Sequence, residues 1–288
     1  MNLNLATRNS QPGFASGYAP ASPETRNPKL ATGSLQPATR NQASPPAKPA
    51  KSSIQSTWFC VELPIIEYQK ARDLQSYLVS ARKDKIINSD IILILEHPPV
   101  FTLGRRGGLE NLRISESFLE KSKIPVIHVE RGGDITFHGP GQIVVYPIIN
   151  LEKARLTVTD YVSNLEEVMI QTAKDSGVQA QRNGLNRGVW VGKKKLGSIG
   201  IAVRRGISFH GMALNVNLSL EPFNWINPCG LHNIKMTSIQ QEFSHPVSLS
   251  HIRQTVKQHF ESVFGVDLAP TGIKELYRDL KLQTLLSG

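Results

Sequence analysis

Cys229 stands between a proline and a glycine in the stretch N-P-C-G, residues 227–230. Pro228 and Gly230 fix the backbone of such a turn without covering the side chain, which leaves the thiol available for nucleophilic chemistry. The one histidine close by in sequence is His232, so a base for Cys229 has to be sought on another element. The alternative is a cysteine that packs as a small hydrophobe, a reading that suits the chain's other cysteine, Cys60, among Trp58, Phe59 and Val61.

Two further stretches could carry chemistry. In G-K-K-K-L-G-S-I-G (192–200) a run of lysines precedes a strand-like segment. Such a run is ordinarily a solvated turn, but Lys195 directly precedes Leu196, Gly197, Ser198, Ile199 and Gly200, which lack polar bulk and suggest burial. Desolvation at the edge of an apolar sheet favours an uncharged amine, which makes Lys195 a candidate base. The other stretch, R-G-G-D-I-T-F-H-G-P-G-Q (131–142), sets glycines around Arg131, Thr136 and His138. Glycine lets a ligand approach the backbone, whose amides can bind a carbonyl or phosphate. A pair of tight hairpin turns would use the same residues, and a lone histidine beside a turn is ordinarily a packed or capping residue.

The elements that must position these residues alternate between extended and helical patterns from residue 56 onward. Residues 58–63 read as a strand, and Pro64 then opens a helix whose Tyr68, Ala71, Leu74 and Leu78 share one face. The apolar run 91–97 reads as a strand buried on both faces. Extended runs follow at 125–129, 134–138 and 142–149. Thr157 with Asp160 forms a capping box for a helix striped by Tyr161, Leu165, Val168 and Thr172 and ended by Gly177. Extended segments return at 188–192, 195–203 and 207–217. A helix striped by Ile252, Val256, Phe260 and Val263 and a last helix over 273–285 complete the chain. Helices scattered among hairpin-linked strands indicate an α/β chain of the α+β type, with a mixed, largely antiparallel sheet flanked by helices.

Residues 1–55 have a different texture. They hold eight prolines and many Ser, Ala, Thr, Gln and Asn, with no periodic apolar stripe, and read as a disordered, low-complexity basic leader. The triplet Thr-Arg-Asn recurs there at irregular spacing and is not a structural repeat. The leader is acid-poor and hydroxyl-rich, so an organellar transit peptide is the alternative, opposed by prolines too dense for an amphipathic helix. Residues 56–288 are read as one catalytic domain.

The net charge of +10 invites a nucleic-acid reading, yet the leader's Arg8, Arg26, Lys29, Arg40, Lys48 and Lys51 against Glu24 supply half of it. No aromatic–basic interleaving follows, so no nucleic-acid partner is expected. No apolar run reaches the ~18 residues of a membrane span, and no secretory signal opens the sequence. Two cysteines exclude a disulfide scaffold and place the chain in a reducing compartment, the cytoplasm by default.

Read in order, R-G-G-x-x-T-x-H-G-P-G-Q, K-x-x-S-I-G, H-G-x-A-L-N-V-N and N-P-C-G closely resemble the lipoyl(octanoyl) transferases, over roughly residues 58–264. E-H-P-P-V-F-T-L-G-R-R-G (96–107) looks like the same family's N-terminal signature. The resemblance implies a fold like the catalytic domain of biotin and lipoate protein ligases. It also implies transfer of an octanoyl group from acyl carrier protein to lipoyl-domain lysines, in 2-oxoacid dehydrogenase complexes and the glycine cleavage H protein. Carried over by position, Cys229 matches the acyl-thioester nucleophile and Lys195 the lysine that activates it. Arg131, Gly132, Gly133, Asp134, Ile135, Thr136, Phe137 and His138 match a substrate-binding segment, as do Ser198, Ile199 and Gly200, and Gly211, Met212 and Ala213. Met212 replaces a phenylalanine found in many relatives and keeps its apolar bulk. Thioester exchange is nearly balanced and amide formation is downhill, so no ATP, metal or other cofactor is expected. The +5 outside the leader would steer acidic carrier and lipoyl domains. An ATP-dependent lipoate or biotin ligase would share the fold and the lysine but needs no cysteine nucleophile, and N-P-C-G speaks against it.

Overall fold

The computed structural model describes residues 56–230, 234–243 and 245–279, with the backbone alone at Glu116, Cys229 and Asp279. β1 (Ser56–Ile65), α1 (Tyr68–Lys83), β2 (Ile91–Glu96), β3 (Val100–Leu103), α2 (Glu116–Ser122), β4 (Val126–His128), β5 (Ile135–His138) and β6 (Gln142–Ile148) come first. α3 (Val158–Asp175) leads to β7 (Gln181–Asn183), β8 (Asn186–Val191), β9 (Lys194–Arg204) and β10 (Ile207–Asn215). Two 3₁₀ turns, Glu221–Trp225 and Pro228–Gly230, precede β11 (Lys235–Met236), α4 (Ile239–Phe243), α5 (Leu249–Phe264), β12 (Val266–Pro270) and α6 (Ile273–Asp279).

The large sheet runs β12-β1-β2-β6-β10-β9-β8-β7, with β11 beside β9, and β4-β3-β5 form a small second sheet. In the large sheet β1 pairs parallel with β12 and β2, and β11 with β9; the other pairs are antiparallel. The sheet is therefore mixed and largely antiparallel, as the alternation of the sequence predicts. Both faces are covered, which is why every residue of β2 is buried. Ile92 and Ile94 pack with Leu165 and Val168 of α3 and Val256 and Phe260 of α5. Ile91, Leu93 and Leu95 pack with Leu74 and Leu78 of α1 and Leu276 of α6. Each such side chain contributes roughly 1.5–3 kcal/mol by leaving water. A third core, around Phe101, Ile135, Phe137 and Phe223, holds the small sheet together.

Thr157 caps α3 as its spacing predicts, accepting the Asp160 N–H at 3.1 Å and donating its hydroxyl to Asp160 Oδ2 at 2.7 Å. Pro64 does not open a helix. It lies inside β1, where the pairing with β2 shifts register between Glu62 and Ile65, a place where a missing N–H costs little. α1 begins four residues later and buries the predicted Tyr68, Ala71, Leu74 and Leu78. Of the helix expected over 273–285, α6 forms the described part; residues 280–285, like the leader 1–55, lie outside the described residues. Among the described residues no helix is long and apolar enough to cross a membrane.

Candidate active site

The predicted segments converge on one cleft beside β9 and β10. It is lined by Arg131, Gly133, Asp134, Thr136 and His138, by Ser198, Ile199 and Gly200, and by Gly211, Met212 and Ala213. Its volume is about 520 Å³ with the open mouth included. β10 and β9 bring the last two segments together by register, with Gly211 opposite Gly200 and Ala213 opposite Ser198. Gly200 must be small because the 131–133 segment lies directly on it: a Cβ there would be 2.8 Å from Arg131 Cδ. Gly132 anchors that contact by donating its N–H to the Ile201 carbonyl at 2.8 Å.

Alternation along β5 divides its residues. Thr136 and His138 face the cleft, whereas Ile135 and Phe137 pack into the small-sheet core with Phe101 and Leu103. Arg131 is buried and donates to the carbonyl and hydroxyl of Thr102, at 2.8 and 2.7 Å. From there hydrogen bonds run in one direction. The Thr102 hydroxyl, 3.4 Å from His138 Nε2, has its own proton for that nitrogen. His138 Nδ1 donates to Gln142 Oε1 at 2.7 Å, and Gln142 Nε2 donates to Asn215 Oδ1 at 2.9 Å. Asn215 Nδ2 donates to the Thr237 carbonyl, and the Thr237 N–H to the Lys195 carbonyl, both at 2.9 Å. Burial holds His138 well below the ordinary imidazole range, in keeping with a neutral ring that accepts at Nε2.

Lys195 is 1% exposed, with Nζ 5.3 Å from the centroid of the Trp190 ring. A β-bulge places it there. Gly188 pairs with Ser198 and Val189 with Gly197, but Trp190 pairs with Lys195, so Leu196 is an extra residue in β9. Leu196 packs in the α3-side core, and Gly197 lies against Met169 of α3. With two successive residues on that side, Lys195 falls on the same face as Ser198. Gly188, at φ +117, is the second requirement: a Cβ would be 2.3 Å from the Gly197 carbonyl oxygen and 3.1 Å from Lys195 Cε. Its N–H donates to the buried Glu166 at 3.0 Å.

The side chain of Cys229 lies outside the described residues, as does His232; the backbone of the turn is defined. Before it, Arg113 donates to the Trp225 carbonyl and Asn227 to the Asn111 carbonyl, both at 2.8 Å, around a Leu112–Ile226 bridge. After it, β11 pairs parallel with β9, Met236 beside Lys195. Gly230 borders an open extension of the cleft that shares Gly133, Asp134, Asn186, Ile199 and Gly200 with its inner part.

Sequence reasoning missed Tyr68, Tyr146, Asn186 and His210, which also line the cleft. Tyr68 was legible as a helix-stripe residue and Tyr146 as part of a strand, but nothing local marks either as facing a cleft. Tyr146 donates to His97 Nε2 at 2.8 Å while His97 Nδ1 donates to the Ile66 carbonyl at 2.7 Å, and burial lowers His97 to about 4. His210, at φ +54, has its backbone N–H on Gln75 Oε1 at 2.7 Å, and burial lowers it too. Arg72, 2.9 Å away, holds Glu130 below the ordinary carboxylate range, whereas His210 Nε2 at 3.8 Å from Glu130 Oε2 is beyond hydrogen-bonding distance. Among the described residues no three His, Cys, Asp or Glu side chains gather as a metal site.

This architecture defines a lipoyl protein ligase A/B catalytic domain, the family that matches residues 67–261. An octanoyltransferase from Desulfotalea psychrophila is 46% identical over 209 residues, 72% of this chain and 94% of that protein. Another, from Syntrophobacter fumaroxidans, is 44% identical over 218 residues, 76% and 95% of the two chains. The chain belongs to this family, on its octanoyltransferase branch, and is an acyltransferase. In fold it is similar to a lipoate-protein ligase A bound with ATP, at TM-score 0.61 and 16% identity over 80% of this chain and 94% of that one. A bi-partite lipoate protein ligase from Thermoplasma acidophilum gives TM-score 0.60 at 14% identity, covering 79% and 92%.

Proposed function

We propose that the protein transfers an octanoyl group from octanoyl acyl carrier protein to the lysine of lipoyl domains through a thioester on Cys229. The acceptors are the lipoyl domains of 2-oxoacid dehydrogenase complexes and the glycine cleavage H protein, in the cytoplasm. The observation that supports this reading is the anchoring of the cysteine turn to residues 111–113, with the segment Lys235–Met236, beyond the undescribed residues 231–233, paired to the Lys195 strand.

In the first half-reaction the Cys229 sulfur attacks the donor thioester carbonyl while the Lys195 amine accepts the thiol proton. The donor C–S bond breaks, and Lys195 returns the proton to the departing pantetheine sulfur. In the second half the lipoyl-domain lysine attacks the Cys229 thioester. A C–N bond forms, the C–S bond breaks, and Lys195 moves the surplus amine proton to the cysteine sulfur.

Magnitudes favour proton transfer over simple charge stabilisation. A thiol of pKa ~8.5 is about 3% thiolate at pH 7, and lowering it to ~7 gains about 15-fold in thiolate. A Brønsted slope of ~0.4–0.5 gives back roughly fivefold of this as lost nucleophilicity. A placed proton carrier contributes ~10²–10⁴. The burial of Lys195, 1% exposed, supports this second role.

Incubation with octanoyl acyl carrier protein and an apo-lipoyl domain, without ATP, tests the reading. Octanoylation of the acceptor lysine is expected. Strict ATP dependence, with Cys229→Ala still active, would instead identify an adenylate-forming ligase.

A further inference from the structure

We propose that Asp134 is a positioning residue that sets the place of the Cys229 turn, acting through its shape and hydrogen bonds. This assignment rests on Cys229 being the acylated residue. Asp134 stands where three backbone segments meet. Its Oδ1 accepts the Ile135 N–H at 2.6 Å, which fixes the carboxylate on its own strand. Its Oδ2 accepts Asn111 Nδ2 at 2.9 Å, and the Asn111 carbonyl accepts the N–H of Asn227, two residues before the cysteine, at 2.8 Å.

One residue after the cysteine, Gly230 lies directly against the same carboxylate. A Cβ on Gly230 would be 2.6 Å from Asp134 Oδ2, and one on Gly107 would be 2.9 Å from Oδ1. Gly230 is at φ +69 and donates its N–H to the Asn227 carbonyl at 3.0 Å, closing the turn. Asp134 thus touches the turn on both sides of Cys229, through Asn111 before it and by van der Waals contact after it. Among the described residues no Lys or Arg pairs with Asp134. The carboxylate is therefore placed as a spacer and acceptor between backbones, its charge engaged by no cation among the described residues.

The test compares Asp134→Ala, Asp134→Asn and Asn111→Ala in the full chain, by steady-state transfer and by deuterium uptake in the peptide spanning residues 225–230. Asparagine keeps the shape and one acceptor, and the Asn111 amide can rotate to donate or accept in turn. Displacing a reacting group by an ångström costs on the order of 10²-fold. Asp134→Ala and Asn111→Ala are expected to lower kcat on that scale with little change in donor KM, and to raise uptake in the 225–230 peptide. Asp134→Asn should keep most of the activity and the low uptake. The proposal is overturned if Asn111→Ala matches wild type in rate and uptake, or if Asp134→Asn is as defective as Asp134→Ala, which would mean a charge or substrate-contact role. Should Asp134→Ala fail to fold, the other two variants still decide. Deuterium uptake needs no chemistry, so it tests the positioning even if wild type puts no octanoyl group on Cys229.

Discussion

The carbonyl of Lys195 accepts the backbone N–H of Thr237 at 2.9 Å, so the segment leaving the Cys229 turn is bound to the residue that carries the amine. Asn215 holds the same residue from its other end by donating Nδ2 to the Thr237 carbonyl, and Gln142, itself held by His138, donates to Asn215. The glycine-rich segment and the lysine strand thereby share one hydrogen-bonded frame. Of these residues His138 lines the cleft, and Gln142 holds its ring from behind.

Asn215→Leu breaks this frame at its centre. It removes the donor to Thr237 and leaves buried Gln142 Nε2 without its Asn215 acceptor. An unsatisfied buried group costs about 1–3 kcal/mol. A fall of that size in urea-unfolding stability, together with slower acyl transfer, is expected.

Gly188→Ala meets the Gly197 carbonyl oxygen at 2.3 Å and forces an alanine to φ +117. Backbone has to move, and with it the Lys195 stem. A loss of about 2 kcal/mol or more in stability is expected from strain of this kind, with transfer activity lost beyond what the unfolded fraction explains. Urea titration and initial rates on the same preparation separate the two effects.

Stability should fall in mild acid. Burial lowers His97 to about 4 from 6.5, and lowers His138 and His210 as well. Each takes up its proton more readily in the unfolded chain, so its contribution is complete above about pH 6.5 and is lost as the pH falls toward 4. For His97 alone this amounts to about 3 kcal/mol. Glu130, held below its ordinary range by Arg72, adds a loss in the same direction below pH 4.5. Melting temperatures measured from pH 8 to pH 4 should decline steeply below pH 6.5; a flat profile would contradict neutral buried imidazoles.

Lys195→Ala should abolish both half-reactions, since in the proposed mechanism the amine carries the proton in each. A role limited to charge stabilisation of the thiolate predicts that raising the pH restores acylation. Single-turnover acylation rates from pH 7 to pH 9.5 distinguish these outcomes, and no recovery is expected.

Much of the framework was legible in the sequence for local reasons. The apolar run of β2, the Thr157 cap and the stripes of α1, α3 and α5 each carry their signal within a few residues. The three cleft segments were marked by their glycines, whose small size is needed where Arg131 and β9 touch. Other features have no local signal. The bulge at Leu196, which turns Lys195 to the Ser198 face, exists only as a mismatch with β8. Pro64 looked like a helix start because the register shift that accommodates it depends on β2. Strand β12 is a short parallel edge defined by β1, 210 residues earlier in the chain. Tyr146 and His210 reach the cleft through the packing of whole layers, and the Asp134–Gly230 contact joins segments that share no pattern.

In the proposed mechanism Cys229 carries the acyl group. Cys60, buried in the large core with its thiol pushed up to about 12 chiefly by burial, serves as the internal control. The decisive measurement is peptide mass spectrometry of the protein quenched in acid after mixing with octanoyl acyl carrier protein in the absence of ATP and acceptor. An octanoyl adduct on the Cys229 peptide, absent in Cys229→Ala and retained in Cys60→Ala, is predicted. An adduct on Cys60, or full transfer activity in Cys229→Ala, would contradict it.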